Sequence, residues 1–356
     1  MRKWIAMLLC GCMFLGGCSK KDKNAIADGE NIIPGGLGEY IVMKPNTAYI
    51  YEGDTDDVMT YSSFAEFARD GYVQRRIDQE RESIVEVMRY DSGKLELVYT
   101  EVNYRRHEDL IGREPNVYVL SAQTPFKLNA QWTYMPKPLG NEVLCEVTAV
   151  DVEVTVPYGT FKTIEITKTY DGGTFVLKEY YAKGIGLVKA TSISGDYEVS
   201  SELADIQEGV TYNESVPMFY MANGVRQMDV YAVNHVTNED VLAVYNEAVP
   251  AHFNKYFGLS EESMKMTGVS LADSETKAAK LTVTIGGSFA SELASSADAA
   301  GALRCVADTF GYLYGTPYVR LMSDGEVVRL ASVEADENGY IAVEPIQAEA
   351  DAGEEE

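Results

Sequence analysis

Between Tyr40 and Ile206 the chain is governed by a period of two. The clearest stretch is Val150-Asp151-Val152-Glu153-Val154-Thr155-Val156, where apolar and polar residues alternate without a fault. Such alternation puts every second side chain on one face, as on a strand with one side buried and the other wet. Two hairpins are marked in the same region. Residues Ile84 to Tyr90 and Leu95 to Tyr104 flank Asp91-Ser92-Gly93-Lys94, and residues Thr163 to Tyr170 and Thr174 to Tyr181 flank Asp171-Gly172-Gly173. These turn sequences tolerate the positive φ that a tight antiparallel connection needs. Residues 39–207 are therefore expected to form a mainly antiparallel sheet. Many of the tyrosines fall here, and a pleated, half-buried surface explains them; a platform for stacking a ligand is the alternative.

Near Glu208 the pattern changes to strands alternating with two helices. Met218 to Met221 and Met228 to Val233 read as short strands. Thr237 then reads as a helix cap with Asp240 three residues on, followed by a face of Val241, Tyr245, Ala248, His252 and Tyr256. Pro250 is expected to kink or restart that helix. Thr267 to Leu271 and Leu281 to Ile285 read as a strand pair. The last helix has Ser296 as cap, an apolar stripe of Ala299, Leu303, Val306, Phe310 and Leu313, Gly315 as stop and Pro317 beyond it. A strand from Tyr318 to Met322 turns at Asp324-Gly325. Residues 208–333 thus read as a smaller α+β sandwich of order ββαββαβ with its helices on one sheet. Residues 334–356 read as an acidic tail, with Glu349 to Glu356 disordered. The fold class expected for the whole chain is α+β.

The start of the chain carries Arg2 and Lys3, an apolar run from Trp4 to Leu15, and the small residues Gly16 and Gly17 before Cys18. The run is too short to span a bilayer and has the shape of an export signal. Leu15-Gly16-Gly17-Cys18 resembles the lipobox of bacterial lipoproteins. That resemblance implies a signal peptide over residues 1–17, diacylglycerol on the Cys18 thiol, and a protein held on the outer face of a membrane. A double acyl chain anchors stably where a single one does not. An ordinary cleaved signal, or an uncleaved N-terminal helix, is the alternative. Residues 18–38 hold Ser, Lys, Asp, Asn, Pro34 and Gly35-Gly36 with few apolar residues, the composition of a flexible tether.

The length, 356 residues, leaves room for about two domains. The chain holds 55 acidic against 30 basic residues, a formal charge of −25, and removing a signal that carries Arg2 and Lys3 makes it more negative still. Phosphate backbones are repelled by such a body, so nucleic acid is excluded as a partner. An anionic membrane offers no attraction either, so attachment would come from the lipid. Cys10 and Cys12 belong to the signal and Cys18 to the anchor, which leaves Cys145 in a strand-like run and Cys305 in a helix-like run. Both read as small core residues, with no disulfide framework.

In the second half, Leu281-Thr282-Val283-Thr284-Ile285, Gly286-Gly287-Ser288-Phe289, the helix holding Ala302-Leu303, and Tyr318-Val319-Arg320-Leu321 with Asp324-Gly325 resemble the closing block of the GerMN sporulation and spore-germination domain. Upstream the chain departs from that family: it has Pro250 where the family has Gly-Pro after its first helix. The first half resembles a sheet-rich module of envelope lipoproteins through Val156-Pro157-Tyr158-Gly159-Thr160-Phe161 and Tyr180-Tyr181-Ala182-Lys183-Gly184-Ile185-Gly186-Leu187-Val188-Lys189. Such modules are curved sheets or half barrels. The resemblance implies an extracytoplasmic protein that binds or assembles, with envelope proteins or its own copies as partners, in sporulation or germination. It transfers no catalytic residue.

No nucleophile elbow, phosphate loop or zinc-helix motif occurs in the sequence. No catalytic residue, cofactor or metal is expected, and the protein reads as a non-enzyme. His107 lies among Arg105, Arg106, Glu108 and Asp109 and reads as a solvated strand end. His235 before a helix and His252 on a helix face read as packing. Asp54-Thr55-Asp56-Asp57 gathers carboxylates but lacks the glycine and distal glutamate of a calcium loop, and reads as an exposed turn. Gly184-Ile185-Gly186 has no following helix to hold a pyrophosphate and reads as a bend. Two functions stay open: an assembly module of the envelope, or a lipoprotein capturing a lipid, glycan or peptide in its first domain.

Overall fold

A computed structural model describes residues 29–53, 59–80, 82–104, 106–274 and 277–346. Cys18 with Leu15, Gly16 and Gly17, the turn at Asp54 to Asp57, and the terminal stretch Glu349 to Glu356 lie outside the described residues.

The alternating first half folds into β1 (Thr47–Gly53), β2 (Tyr61–Arg69), β3 (Tyr72–Gln79), β4 (Ser83–Asp91), β5 (Lys94–Val102) and β6 (Val119–Gln123), followed by β7 (Gln131–Tyr134), β8 (Val143–Val156), β9 (Gly159–Tyr170), β10 (Phe175–Ala182), β11 (Gly186–Ser194) and β12 (Tyr197–Glu208). Each strand pairs with its neighbour in sequence, except that β6 and β7 are the two free ends of a 12-stranded sheet. The meander closes on itself through β1 and β12, from Thr47 opposite Glu208 to Gly53 opposite Ser201. A single bridge between Tyr118 and Lys137 spans the seam between β6 and β7. The curved sheet or half barrel that the resemblance implies is thus a nearly closed up-and-down barrel. The alternation alone could not show this, because closure depends on pairing between strands far apart in sequence.

Both predicted hairpins are present. β4 and β5 turn through Ser92 and Gly93, with φ of 49° and 78°, the paired left-handed conformation that matches strand twist. In β8 the run from Val150 to Val156 is broken: Asp151 has φ of 57° and the register to β9 slips between Ala149 and Val152. This bulge bends the strand where the barrel wall curves.

The barrel is filled from its N-terminal side. Ile32, Ile33, Leu37 and Ile41 are buried in one cluster with Val73, Met88, Leu95, Trp132, Cys145 and Ile166. The tether expected over residues 18–38 is therefore a packed plug from Asn31 onward. Asn31 ties it: its amide donates to Gly38 O and Ile41 O at 2.9 Å each, and its carbonyl oxygen accepts from Met43 N at 2.8 Å. The Pro34-Gly35-Gly36 run between Ile32-Ile33 and Leu37 hid that plug.

The second half contains β13 (Tyr212–Ala222), β14 (Val225–His235), α2 (Val241–Phe257), α3 (Glu261–Met264), β15 (Met266–Ser274), β16 (Lys277–Ile285), α4 (Phe289–Ser295), α5 (Ala299–Tyr314), β17 (Tyr318–Ser323), β18 (Glu326–Val327) and β19 (Ile341–Ala342). The short α1 (Gly35–Gly38) belongs to the plug. The strands do not make the one sheet of the expected sandwich. β13 and β14 form a separate hairpin, while β15, β16, β17 and β18 form a second sheet to which β19 adds beside β17. One apolar core, including Phe219, Tyr245, Phe253, Leu281, Phe289, Cys305 and Phe310, joins hairpin, helices and sheet. Cys145 and Cys305 are both buried and free.

Several local signals moved by a few residues. α2 is capped by Asp240, whose side chain accepts from Ala243 N, and runs through Pro250 without a restart. α5 is capped by Asp298, not Ser296, and ends on Gly315 at φ of 61°. The acidic tail expected over residues 334–356 is, up to Ile346, part of the fold: Ile341 and Ala342 pair with β17, and Glu344 N donates to Asp308 at 2.9 Å. Apolar Ile341 and Val343 carry that docking within an otherwise polar stretch.

Candidate functional site

The barrel and the second half meet on β2 and β3. The link between β14 and α2 lies along β2 and takes up its backbone groups. Thr237 Oγ1 accepts from Asn46 N and donates to Ala65 O, at 2.9 and 2.7 Å, while Asn238 N donates to Glu66 O and Asn238 Oδ1 accepts from Ala68 N, both at 2.7 Å. Thr237, expected to cap a helix, is a clasp between the two halves.

Beneath the clasp lies a buried polar cluster. Glu66 sits mid-strand in β2, where Ala65 and Ala68 belong to the barrel core and Phe64 and Phe67 lie against histidine rings. Its carboxylate accepts from Arg76 Nη2 at 2.7 Å and from Gln74 Nε2 at 2.9 Å. Arg76 is also held by the carbonyls of Tyr104 and Arg106. These donors suit a fully buried carboxylate, which needs a partner for each oxygen.

His107 is completely buried, not a solvated strand end. Its charged neighbours neutralise one another: Arg106 and Arg113 pair with Glu108, at 2.6 and 2.5 Å, and Asp109 pairs with Arg69. The second half then covers the loop. Tyr245 Oη on α2 accepts from His107 N at 2.6 Å and donates to Glu214 on β13, and Arg106 donates to Tyr314 O on α5 at 3.2 Å. His107 stacks on Phe67 at 4.7 Å between ring centroids, and the His235 ring lies tilted by 31° against it at 3.8 Å.

One nitrogen of His107 is satisfied: Nε2 lies 3.1 Å from Glu239 O. Its Nδ1, and both ring nitrogens of His235, are buried without a hydrogen-bond partner of standard geometry. His235 Nε2 lies 3.8 Å from Glu66 Oε1. Burial keeps both rings neutral by lowering their proton affinity. The His235 pKa falls to about 3, first through burial and then through His107 and Arg76. His107 is also lowered, chiefly by burial, against the pull of Glu66. Glu214 is pushed up to about 8, mainly by burial, with Arg76 opposing and Glu66 adding to the rise. The cluster thus offers two neutral imidazoles and a carboxylate in a space closed to water.

His252, read as packing, is so: Nε2 lies 2.8 Å from Phe219 O and Nδ1 3.1 Å from Tyr231 Oη. Gly184-Ile185-Gly186 forms the turn into β11, where Gly184 N donates to Glu39 O. Glu66, Arg76 and Glu214 were not singled out from the sequence. The signal that could have found Glu66 is a lone charge inside the apolar run Phe64-Ala65-Glu66-Phe67-Ala68.

Inside the barrel a cavity of about 120 Å³ is lined by Tyr51, Arg75, Lys168, Glu179 and Tyr181 among others. Lys168 pairs with Glu179 at 2.9 Å, and Tyr181 donates to the same carboxylate at 3.0 Å. The space is well under the ~300–1,000 Å³ typical of ligand pockets.

A different kind of feature lies on β14. One edge of its partner β13 is covered, because Phe219 N donates to Thr309 Oγ1 on α5 at 3.0 Å. Pro217 on β13 stands opposite Val230. Proline has no N–H, so this pair exchanges no ladder bonds, and the N–H and C=O of Val230 point away from β13. Along this edge Val225, Met228 and Val230 are exposed apolar side chains. Among the described residues no strand pairs with that edge.

No protein family matches the chain, and no curated protein matches it by sequence. In shape the chain is similar to a protein described as exported, with a YmcC-like fold, from Bacteroides fragilis, at 14% identity and a TM-score of 0.31, covering 48% of this chain and 99% of that one. It is also similar to a protein described as a lipoprotein from Parabacteroides distasonis, at 11% identity and a TM-score of 0.27, covering 51% and 100% of the two chains. A beta-barrel-like protein of a domain of unknown function from Brucella abortus is similar at 15% identity and a TM-score of 0.28, covering 47% and 99%. At these scores the likenesses carry nothing about what this chain binds.

Proposed function

We propose that the protein is a non-enzymatic envelope lipoprotein, anchored through lipid on Cys18, whose second half adds a strand from a partner protein to β14. The observation that carries this reading is the open, apolar edge of β14 beside a β13 edge that α5 has covered. An unpaired edge with exposed Val225, Met228 and Val230 is a template for another strand, with backbone bonds giving affinity and side chains giving selectivity. The partner is a different envelope protein more than a second copy, because acidic bodies more negative than −25 once Arg2 and Lys3 are removed repel each other. The resemblance to GerMN-bearing lipoproteins supports placing this assembly in sporulation or germination.

Capture of a lipid or glycan in the barrel has less support, since the interior space is small and lined by paired charges. The test is a Val230→Pro variant expressed in the native cells. It removes an outward N–H while leaving the β13 ladder intact, so the reading expects partner recovery from membranes to be lost with the fold retained. Unchanged recovery of the same partners would refute strand addition at this edge.

A further inference from the structure

We propose that Glu66, His107 and His235 bind one divalent transition-metal ion of the zinc type at the junction of the barrel and the second half. One ligand atom from each residue lies within 4.8 Å of the others, and all three side chains are buried.

The strongest observation is the set of unpartnered nitrogens. A buried polar group left without a hydrogen bond costs about 1–3 kcal/mol, and here three such atoms, His107 Nδ1 and His235 Nδ1 and Nε2, come from two adjoining rings. Packing alone gives no return for that cost. A metal ion would take one lone pair from each ring, His107 Nδ1 and one nitrogen of His235, while the other His235 nitrogen carries its proton.

The tautomer of His107 is set for the same role. Glu239 O lies 3.1 Å from Nε2 and can only accept, so the ring proton sits on Nε2 and the lone pair on Nδ1. A ligating histidine commonly gives its other N–H to a backbone carbonyl in this way. Glu66 is likewise oriented by outer partners, Arg76 and Gln74. Arg76 places a positive charge on the same carboxylate, and its guanidinium is held there by Glu66 and by the carbonyls of Tyr104 and Arg106.

Two imidazoles and one carboxylate select zinc or cobalt over calcium or magnesium, which prefer oxygen shells. With bonds of about 2.0–2.2 Å, ligand atoms around a tetrahedral ion stand about 3.4 Å apart. The 3.8 Å between His235 Nε2 and Glu66 Oε1, within a set of ligand atoms that all lie inside 4.8 Å of one another, closes to that by side-chain movement on binding. Because Glu66 and His107 come from the barrel part of the chain and His235 from β14, a bound ion would cross-link the two halves.

The experiment uses the full chain in detergent, stripped with chelator and titrated with Zn²⁺ alone and with Co²⁺ alone. The expected result is one ion per chain, with X-ray absorption showing imidazole nitrogen in the first shell. His107→Gln and His235→Gln should each weaken binding by more than the ~10–100-fold typical of losing an outer-shell partner. No stoichiometric binding, or binding unchanged by both variants, would overturn the proposal. If both variants misfold, the wild-type spectrum decides: an all-oxygen shell places the ion on surface carboxylates and overturns it too.

Discussion

Arg76 on β3, opposite Phe64 in the register, reaches Glu66 at the β2 bulge to form an ion pair of 2.7 Å with side chains only 1% and 0% exposed. Desolvating both charges is expensive, and the pair persists because the carbonyls of Tyr104 and Arg106 and the amide of Gln74 complete its hydrogen bonding. Breaking one side leaves the other charge buried. Arg76→Met is therefore expected to cost about 3–5 kcal/mol. Arg76→Met combined with Glu66→Gln should cost less than Arg76→Met alone. Urea denaturation of both variants checks this, and a loss under 1 kcal/mol for the single change would contradict it.

Gly311 on α5 faces Val343, whose methyl groups occupy the place where a Cβ would go. In a helix interior Gly→Ala ordinarily gains about 0.5–1 kcal/mol. Here overpacking at about 1–3 kcal/mol outweighs that gain. Gly311→Ala should lower the thermal midpoint, and adding Val343→Ala should restore the helix benefit relative to Val343→Ala alone. Equal stabilisation in both backgrounds would mean that the segment from Ile341 to Val343 is not docked on α5.

His252 has its pKa lowered, chiefly by burial, with Phe219 O and Asp229 opposing and Lys255 adding to the drop. The folded state then holds it neutral while the unfolded chain protonates it below its ordinary value of about 6.5. Its contribution is thus fully present above that pH and is lost as pH falls through the unfolded value toward the folded one. Each proton taken up only by the unfolded chain steepens the loss by up to about 1.4 kcal/mol per pH unit. His252→Gln should flatten the stability curve between neutral pH and the carboxylate range by up to that slope, measured by denaturation at stepped pH. Glu214, raised to about 8, acts with the opposite sign, so only the difference between variant and wild type isolates His252. An identical pH dependence would show that His252 is solvated.

Asn31 makes the plug a fixed part of the barrel. Asn31→Ala removes bonds to Gly38 O, Ile41 O and Met43 N, and should cost about 1–3 kcal/mol through the backbone groups left unpaired. Hydrogen exchange should rise at Ile41 and Met43 and leave α5 protected. Uniform exchange across the molecule would instead mean that plug and second half open together.

Local features were legible in the sequence. Ser92-Gly93 specified its own hairpin, and the stripe from Ala299 to Leu313 specified α5, because turn chemistry and helix periodicity act over a few residues. Barrel closure was not legible, since the pairing of Thr47 with Glu208 has no local signature. The buried cluster was hidden for a related reason. Arg106, Glu108 and Asp109 look solvated as a string of charges, and only the pairing of Arg106 with Glu108 and of Asp109 with Arg69, with cover from Tyr245 and Tyr314, buries His107 between them. Thr237 misled as a helix cap because the residue types that cap helices also clasp strands.

The most direct test of the account places a photo-crosslinking side chain at Met228 in the full-length protein and irradiates native membranes. The account predicts one discrete adduct with an envelope protein in the membrane fraction, lost when Val230→Pro is added and when Cys18→Ala prevents anchoring. No adduct at Met228, or an adduct that survives both changes, would contradict strand addition on β14 by a membrane-anchored lipoprotein.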